Sequence, residues 1–431
     1  MPADTLPDGP APRPVDDRSR TPRRVAVVVA LGAAVVAALI WYGNRHDFYD
    51  LKIYLSAMRW WADGNPLYDY VQPDIVQGQL YFTYPPFTAL LLRPFAAVGA
   101  GTAAAAVFTV GTLLAVVVTT VWLVTPIARR RGLPRWWLAG LVVPLVVLIE
   151  PTRETIFLGQ INMLLVVLIL ADLLFAVPRR SRWAGVGIGL ATAIKLFPGI
   201  FIVYLLVTRR WRAALVSCLA AAAATGLAAA VAPAESWRFW FTELWSTERV
   251  GRSDYTGNQS LQGLLARLAA PAEPDRLVWL VLVAVAAGYG LWRAARAVRA
   301  GDELAGLTLT GLVAALIAPI TWPHHVYWFV PALIVLLDAA LPDRPPFGVA
   351  PDPAAARSGV RAAGPAALVA LAAVIFAALV VGVVSLIDWG HAKVPTDDPA
   401  TFVLRNLYVL AAALLLVSLP IRRRPTSTPG G

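Results

Sequence analysis

The stretch PRRSRWAGVGIGLATAIKLFPGIFIVYLLVTRRWR, residues 178–212, decides the fold. Its apolar middle is long enough to cross a bilayer, yet arginines flank it on both sides, and arginine and lysine collect in cytoplasmic loops. If the chain crosses once here, every later basic run, including RAARAVR at 293–299 and RRR at 422–424, falls outside. If it enters and turns back at KLFPG, residues 195–199, all the arginine-rich connections share the cytoplasmic side. The hairpin is therefore the expected solution. Pro198 and Gly199 supply its turn, and a turn at membrane depth survives only where protein or a water-filled cavity covers the freed backbone groups. Lys195 should then line a cavity that opens outward. A cation at that depth is costly and requires a bound anion or a carboxylate partner, with Glu154 and Asp172 the candidates for the latter.

Outward from the hairpin the chain keeps the same character. Of its 431 residues 58% are hydrophobic and only 15% charged, and the mean hydropathy of +0.65 is far above that of a soluble domain. Apolar stretches at 25–42, 102–125, 136–149, 157–177, 213–231, 277–291, 304–320, 326–341, 362–387 and 402–419 are long enough, or nearly so, to cross. With the hairpin they predict an all-α polytopic membrane protein of about twelve membrane segments, both termini cytoplasmic. Residues 1–24, rich in Pro, Asp and Arg, are expected to be a disordered cytoplasmic tail, 25–420 the membrane domain, and 421–431 a second cytoplasmic tail. The apolar run after Arg24 is too long for a typical signal peptide and lacks a clean cleavage site, so it reads as a retained anchor. A net charge of +11 sits in short arginine runs between apolar segments, which marks topology rather than a nucleic-acid surface. One cysteine, Cys218, precludes an intrachain disulfide and a thiolate metal cluster. Neither a metal nor a cofactor is expected.

In this orientation the external segments are 43–101, 150–155, 232–276, the turn TWPHH at 321–325, and 388–401, and they hold His46, His324, His325 and His391. The chemistry is expected there. In the first external segment Leu51, Tyr54, Leu55, Met58 and Trp61 recur at helical spacing, predicting an amphipathic helix on the membrane face with Asp50 at its start. Asp50 is either a helix cap or a reactive carboxylate. YFTYPPF at 81–87, carrying Tyr84, is extended by its paired prolines. Gln160 and Asn162, in FLGQIN, either cross-link helices or bind a hydroxyl-rich ligand. Trp237, Trp240, Phe241, Leu244 and Trp245 share one helical face that should rest among lipid headgroups. Beyond them GNQSLQGLLAR offers Asn258, Gln259 and Arg267, the last of which could simply snorkel. Adjacent histidines at 324 and 325 point in different directions, so a single imidazole bound to an anion or carboxylate fits them better than a two-histidine metal site.

Taken together, DLKIY (50–54), LYDY (67–70), FTYPPF (82–87), EPTRETIFLGQIN (150–162), AIKLFP (193–198), FTELWSTERVG (241–251), NQSLQGLLARL (258–268) and PITWPHH (319–325) resemble glycosyltransferase family 87. These are the polyprenyl-phosphate-mannose-dependent α-1,2-mannosyltransferases of mycobacteria and their relatives. The resemblance runs in consistent order from about residue 50 to about residue 331 and does not reach the tails or the last two spans. It implies a GT-C fold with the site at the outer membrane face, a polyprenyl-phosphate-mannose donor, and a mannosylated glycolipid acceptor such as a phosphatidylinositol mannoside or lipomannan. The family's D-L-x-x-Y aspartate is the catalytic base, which maps onto Asp50 and leaves Asp47, one turn away, as an alternative. His324 or His325 is implicated near the donor phosphate or the acceptor, Lys195 and Arg267 in binding that phosphate, and Tyr84, Gln160, Asn162, Asn258 and Gln259 in binding substrate. Glu150 and Glu154 remain possible second carboxylates. Rival readings are a polyprenyl-phosphate-arabinose-dependent transferase, with the same fold and base, and a lipid or solute transporter. Transporters show internal repeats and midplane polar sites, and neither is evident here.

Overall fold

The computed structural model describes residues 17–74, 78–97, 101–246, 249, 251–341, 364–382 and 398–422. The chain begins with α1 (Asp17–Tyr42) and α2 (Tyr49–Ala62), then a two-stranded ribbon of β1 (Val71–Asp74) and β2 (Gly78–Tyr81). There follow α3 (Pro86–Ala97), α4 (Gly101–Arg130), α5 (Arg135–Leu148), α6 (Glu150–Leu158) and α7 (Asn162–Ala171). Next come α8 (Val186–Ile194), α9 (Ile200–Val207), α10 (Trp211–Val231), α11 (Pro233–Phe241) and α12 (Leu261–Ala269). The remaining helices are α13 (Arg276–Arg299), α14 (Glu303–Ile317), α15 (Phe329–Ala340), α16 (Pro365–Val381), α17 (Pro399–Arg405) and α18 (Leu407–Ser418).

The molecule is an all-α polytopic membrane protein apart from that ribbon. Among the described residues four helices are long and apolar enough to cross a membrane, in α1, α4, α10 and α13, and α17 with α18, bent by 75°, makes a fifth if that pair is one span. The other expected spans are shorter helices. The stretch 157–177 is divided because Gly159, at φ 71°, ends α6, and helix resumes only at Asn162. The stretch 304–320 stops at Ile317, where Ala318 turns extended ahead of Pro319. Residues 150–155, expected as an external loop, are helical and buried in α6. Helix α1 starts at Asp17, inside the expected tail, while 1–16, 383–397 with His391, and 423–431 lie outside the described residues.

Residues 178–212 do turn back. Gly185 abuts the Ala213 carbonyl and Gly189 the Ser217 carbonyl, at 2.1 and 2.3 Å from where a Cβ would stand, so α8 runs alongside α10 in the same direction. Helix α9 ends just before α10 begins, and so descends beside it. The two basic flanks meet, Arg212 Nη1 donating to the Arg180 carbonyl at 3.4 Å. Glycine is required at both contacts, since any side chain would drive the helices apart.

The buried centre lies on α14 and α15, where every residue from Ala305 to Leu316 and from Phe329 to Leu336 is buried. At the basic end Asp338 pairs with Arg130, Arg131 and Arg422, and Glu303 pairs with Arg210. At the other end a second apolar cluster forms outside the main core, from Leu51, Tyr54, Leu55 and Met58 of α2 with Tyr68, Phe82, Tyr84 and Phe239. The apolar stripe of α2 therefore packs on protein rather than lying on lipid, which corrects the expectation for it. The aromatic face of α11 divides. Trp240 and Leu244 pack against the cluster, to which Phe239 on another face of the helix belongs, whereas Trp237, Phe241 and Trp245 remain exposed, the last residing in the short turn after the helix.

Candidate active site

Six of the ten site residues predicted from sequence converge where α2, α6, the α8–α9 hairpin and the turn after α14 meet. A cavity of about 790 Å³ opens there, with Asp50, Tyr84, Gln160, Lys195, His324 and His325 on its wall. That volume is of the size that holds a ligand of several rings.

Asp50 lies in the first turn of α2, but the capping position belongs to Phe48, which makes no side-chain cap. Its carboxylate instead accepts from the Gln160 side-chain amide. Gln160 Nε2 also donates to the Tyr54 hydroxyl at 2.8 Å, while its Oε1 accepts from the Tyr84 hydroxyl at 3.1 Å. The two phenols are 2.7 Å apart. Only one amide orientation serves this network, because the carboxylate must be met by N–H. Burial pushes the Asp50 carboxyl up to about 6, restrained by the Gln160 bond and the charges of Lys195 and His46. Asp47 is different: it pairs with Lys52 and its side chain is 80% exposed, away from the cavity.

Lys195 follows the last turn of α8 with extended backbone, which swings its side chain into the cavity. Nζ lies 3.1 Å from Asn162 Oδ1, 3.4 Å from the Tyr84 hydroxyl and 2.7 Å from His325 Nε2. Neither carboxylate partner considered for it is engaged: Glu154 pairs with His46 at 2.8 Å, and Asp172 accepts from the Ile188 N–H at 2.8 Å. His325 Nδ1 accepts from the Trp322 N–H at 3.2 Å, so a neutral ring carries its proton on Nε2, toward the lysine. Burial, reinforced by Lys195, holds both imidazoles well below the ordinary histidine range. His324 is buried against the cavity, and neither of its ring nitrogens has a hydrogen-bond partner among the described residues. Asn162 steadies the turn by donating to the His324 carbonyl at 3.2 Å.

Three residues expected at the substrate lie behind this wall. Arg267 donates to Asn406 Oδ1 at 3.0 and 2.7 Å and to the Tyr255 carbonyl at 2.8 Å. Asn258 clamps the turn, donating to the Pro319 carbonyl at 3.1 Å and accepting from the Thr321 N–H at 3.0 Å. Gln259 joins that turn to α18, accepting from the Tyr408 N–H at 2.9 Å. None of the three lines the cavity. Tyr54, His46 and Glu154, to which sequence reasoning gave no settled role, do line it. His46 stands four residues before Asp50 in HDFYD, but α2 begins only at Tyr49, so helical spacing does not bring the two together. Among the described residues no group of three or more His, Cys, Asp or Glu is placed to hold a metal ion.

A buried carboxylate set beside a lysine and two imidazoles at one end of an apolar bundle suits a membrane group-transfer enzyme. The model of glycosyltransferase family 87 matches residues 82–319, more than half of the chain, and the chain belongs to that family. It is 32% identical over 337 residues to a polyprenol-phosphate-mannose-dependent alpha-(1-2)-phosphatidylinositol mannoside mannosyltransferase of Mycobacterium tuberculosis, covering 74% of this chain and 78% of that one. The Mycolicibacterium smegmatis protein of the same name is 33% identical, with 70% and 73% covered. A polyprenol-phosphate-mannose-dependent alpha-(1-2)-phosphatidylinositol pentamannoside mannosyltransferase of M. tuberculosis is 34% identical, with 79% and 83% covered. No solved structure matches.

Proposed function

We propose that this glycosyltransferase moves mannose, with inversion, from polyprenyl-phosphate-mannose to a mannosylated phosphatidylinositol lipid, forming an α-1,2 linkage. The observation that carries the reading is the pairing of opposite tasks in one cavity. Asp50 is a buried, oriented carboxylate, whereas Lys195 Nζ and His325 Nε2 share a hydrogen bond at 2.7 Å on the wall of the same cavity. An anionic oxygen that displaces this bond can accept from both nitrogens, and a donor phosphodiester supplies one. The acceptor hydroxyl attacks the anomeric carbon as the bond from that carbon to the phosphate oxygen breaks. Its proton passes to Asp50, and the electron pair leaves on the phosphate. The phosphate is a stable leaving anion, so Lys195, His325 and the unpartnered ring of His324 need only meet its growing charge. Tyr84 and Gln160 hold base and cation in register, and Asn162 orients Lys195. Asn258 and Gln259 support the turn that carries the histidines, and Arg267 braces Tyr255 and Asn406.

The proposal extends to placement. The chain adopts the GT-C arrangement of about twelve membrane segments, the arginine-rich end is cytoplasmic with both termini, and the cavity faces outward. Ile200, Val203 and Ile317, on the cavity's apolar side, receive the first isoprene units, while Trp237, Phe241 and Trp245 rest among headgroups. Asp50→Asn keeps the shape and removes the base. Membranes carrying it should bind donor and transfer no mannose to phosphatidylinositol mannoside acceptors, and near-normal turnover would refute the assignment.

A further inference from the structure

His46 and Glu154 form an ion pair at 2.8 Å on the wall of the same cavity as Asp50, with His46 Nε2 against Glu154 Oε2 and side chains 18% and 5% exposed. The segment that carries His46 is tightly constrained. Asn44 Oδ1 accepts from the N–H groups of His46 and Asp47 at 3.1 and 2.9 Å, and the Tyr49 N–H donates to the His46 carbonyl at 3.0 Å. Asp47 and Phe48 both take left-handed backbone, at φ 48° and 54°, which is unusual for residues with side chains. The Phe48 N–H then reaches the Phe157 carbonyl at 2.8 Å, fastening the start of α2 to the helix that bears Glu154. Backbone strain of this kind persists where the surroundings over-determine it, and it clusters at functional sites.

A carboxylate as buried as Asp50 favours its neutral form unless positive charge lies close. The groups around it are the hydroxyls of Tyr49, Tyr54 and Tyr84, the amide of Gln160, Lys195 on the hairpin, His324 and His325 on the turn, and His46, with Glu154 and Glu150 on α6. Glu150 is bonded by the Tyr408 hydroxyl. Lys195 faces the proposed phosphate position, and its charge is spent on the donor once that arrives. Besides Lys195, His46 is the cation whose charge favours the ionised Asp50, since Arg249 across the cavity pairs with Glu243 and Arg153 on α6 donates to the Leu148 and Val380 carbonyls; burial, which opposes the charged form of His46, is outweighed by the bond and charge of Glu154.

We propose that His46, held by Glu154, is a positioning residue for Asp50: its imidazolium supplies the countercharge that keeps the buried carboxylate ionised while the donor occupies Lys195. The proposal rests on the reading of Asp50 as the base.

The two partners then have unequal effects, which a purely structural contact would not give. Removing His46 leaves Glu154 as an uncompensated negative charge beside Asp50. Removing both restores neutrality. The test is the initial rate of mannose transfer from pH 5 to 9, at saturating donor, for the enzyme in nanodiscs. His46→Gln should move the acid limb upward by about one unit, a loss of roughly fivefold at pH 6 that is recovered above about pH 8.5. Adding Glu154→Gln to His46→Gln should return part of the acid-side rate. His46→Lys, which retains a cation, should keep the wild-type limb and guards against misfolding of the glutamine variant. An unmoved limb in His46→Gln, an equal loss at every pH, or a double variant no better than His46→Gln overturns the proposal. If the unmodified enzyme has no acid limb, or Asp50→Asn is active, the assignment of the base itself fails instead.

Discussion

Replacing Gln160 by Met tests the site at its most specific contact. The two side chains are similar in length, so the change removes the amide at little cost in volume. What is lost is the N–H that meets the Asp50 carboxylate, a bond to a charged group worth about 1.5–3 kcal/mol. Because that bond favours the ionised carboxylate, its loss raises the pKa, and at about 1.4 kcal/mol per unit the rise is about one to two units. From about 6 the acid limb should therefore climb to between about 7 and 8. At pH 6.5 the ionised fraction then falls from about three quarters to about a tenth, an eightfold loss of rate or thereabouts that fades near pH 9. The measurement is the initial rate of radiolabelled mannose transfer at saturating donor across that range, with a thermal unfolding midpoint to establish that the variant is folded. A folded Gln160→Met enzyme with the wild-type limb, or one equally depressed at every pH, would refute the account of how Asp50 is held.

Other expectations follow from the same geometry. Lys195→Met should raise the KM for the polyprenyl-phosphate donor at least tenfold while moving the acceptor KM little, as measured by separate titrations of the two substrates. Arg267→Met should lower thermal stability, since it strands the buried Asn406 oxygen, and leave donor KM within about twofold; a large, selective rise in donor KM would instead place Arg267 at the phosphate. Gly189→Leu should prevent α8 from packing on α10, because its Cβ would stand 2.3 Å from the Ser217 carbonyl. Little folded enzyme should be recovered by detergent extraction and size-exclusion chromatography.

Much of this architecture could be read from local pattern. Hydropathy marks the spans, and the arginine runs at 179–182 and 209–212 argue for the hairpin that α8 and α9 form beside α10. The amphipathic spacing of α2 was equally plain, but not its destination. A helix with one apolar stripe is satisfied by lipid or by protein alike, and here Tyr68, Phe82 and Phe239, distant in sequence, cover it. The ribbon of β1 and β2 escaped notice because Val71–Asp74 and Gly78–Tyr81 are four residues each, with no clear alternation.

The residue types needed for chemistry were likewise legible, since an aspartate, a lysine and paired histidines stand out against an apolar chain. Their partners were not. Gln160 and Asn162 are both amides in one motif, and only the packing of α2 against α6 and of the hairpin against α7 assigns one to Asp50 and the other to Lys195. Arg267 and Lys195 are both isolated cations in sequence, yet one is consumed by Asn406 behind the wall and the other faces the cavity. Sequence alone thus determined that this chain lives in a membrane and which side chains are chemically exceptional, because hydropathy and charge are properties of each segment by itself. Which of those side chains meet, and with what charge, was decided by tertiary structure, because contacts between residues on different segments, from 33 to 139 positions apart, are set by how helices pack.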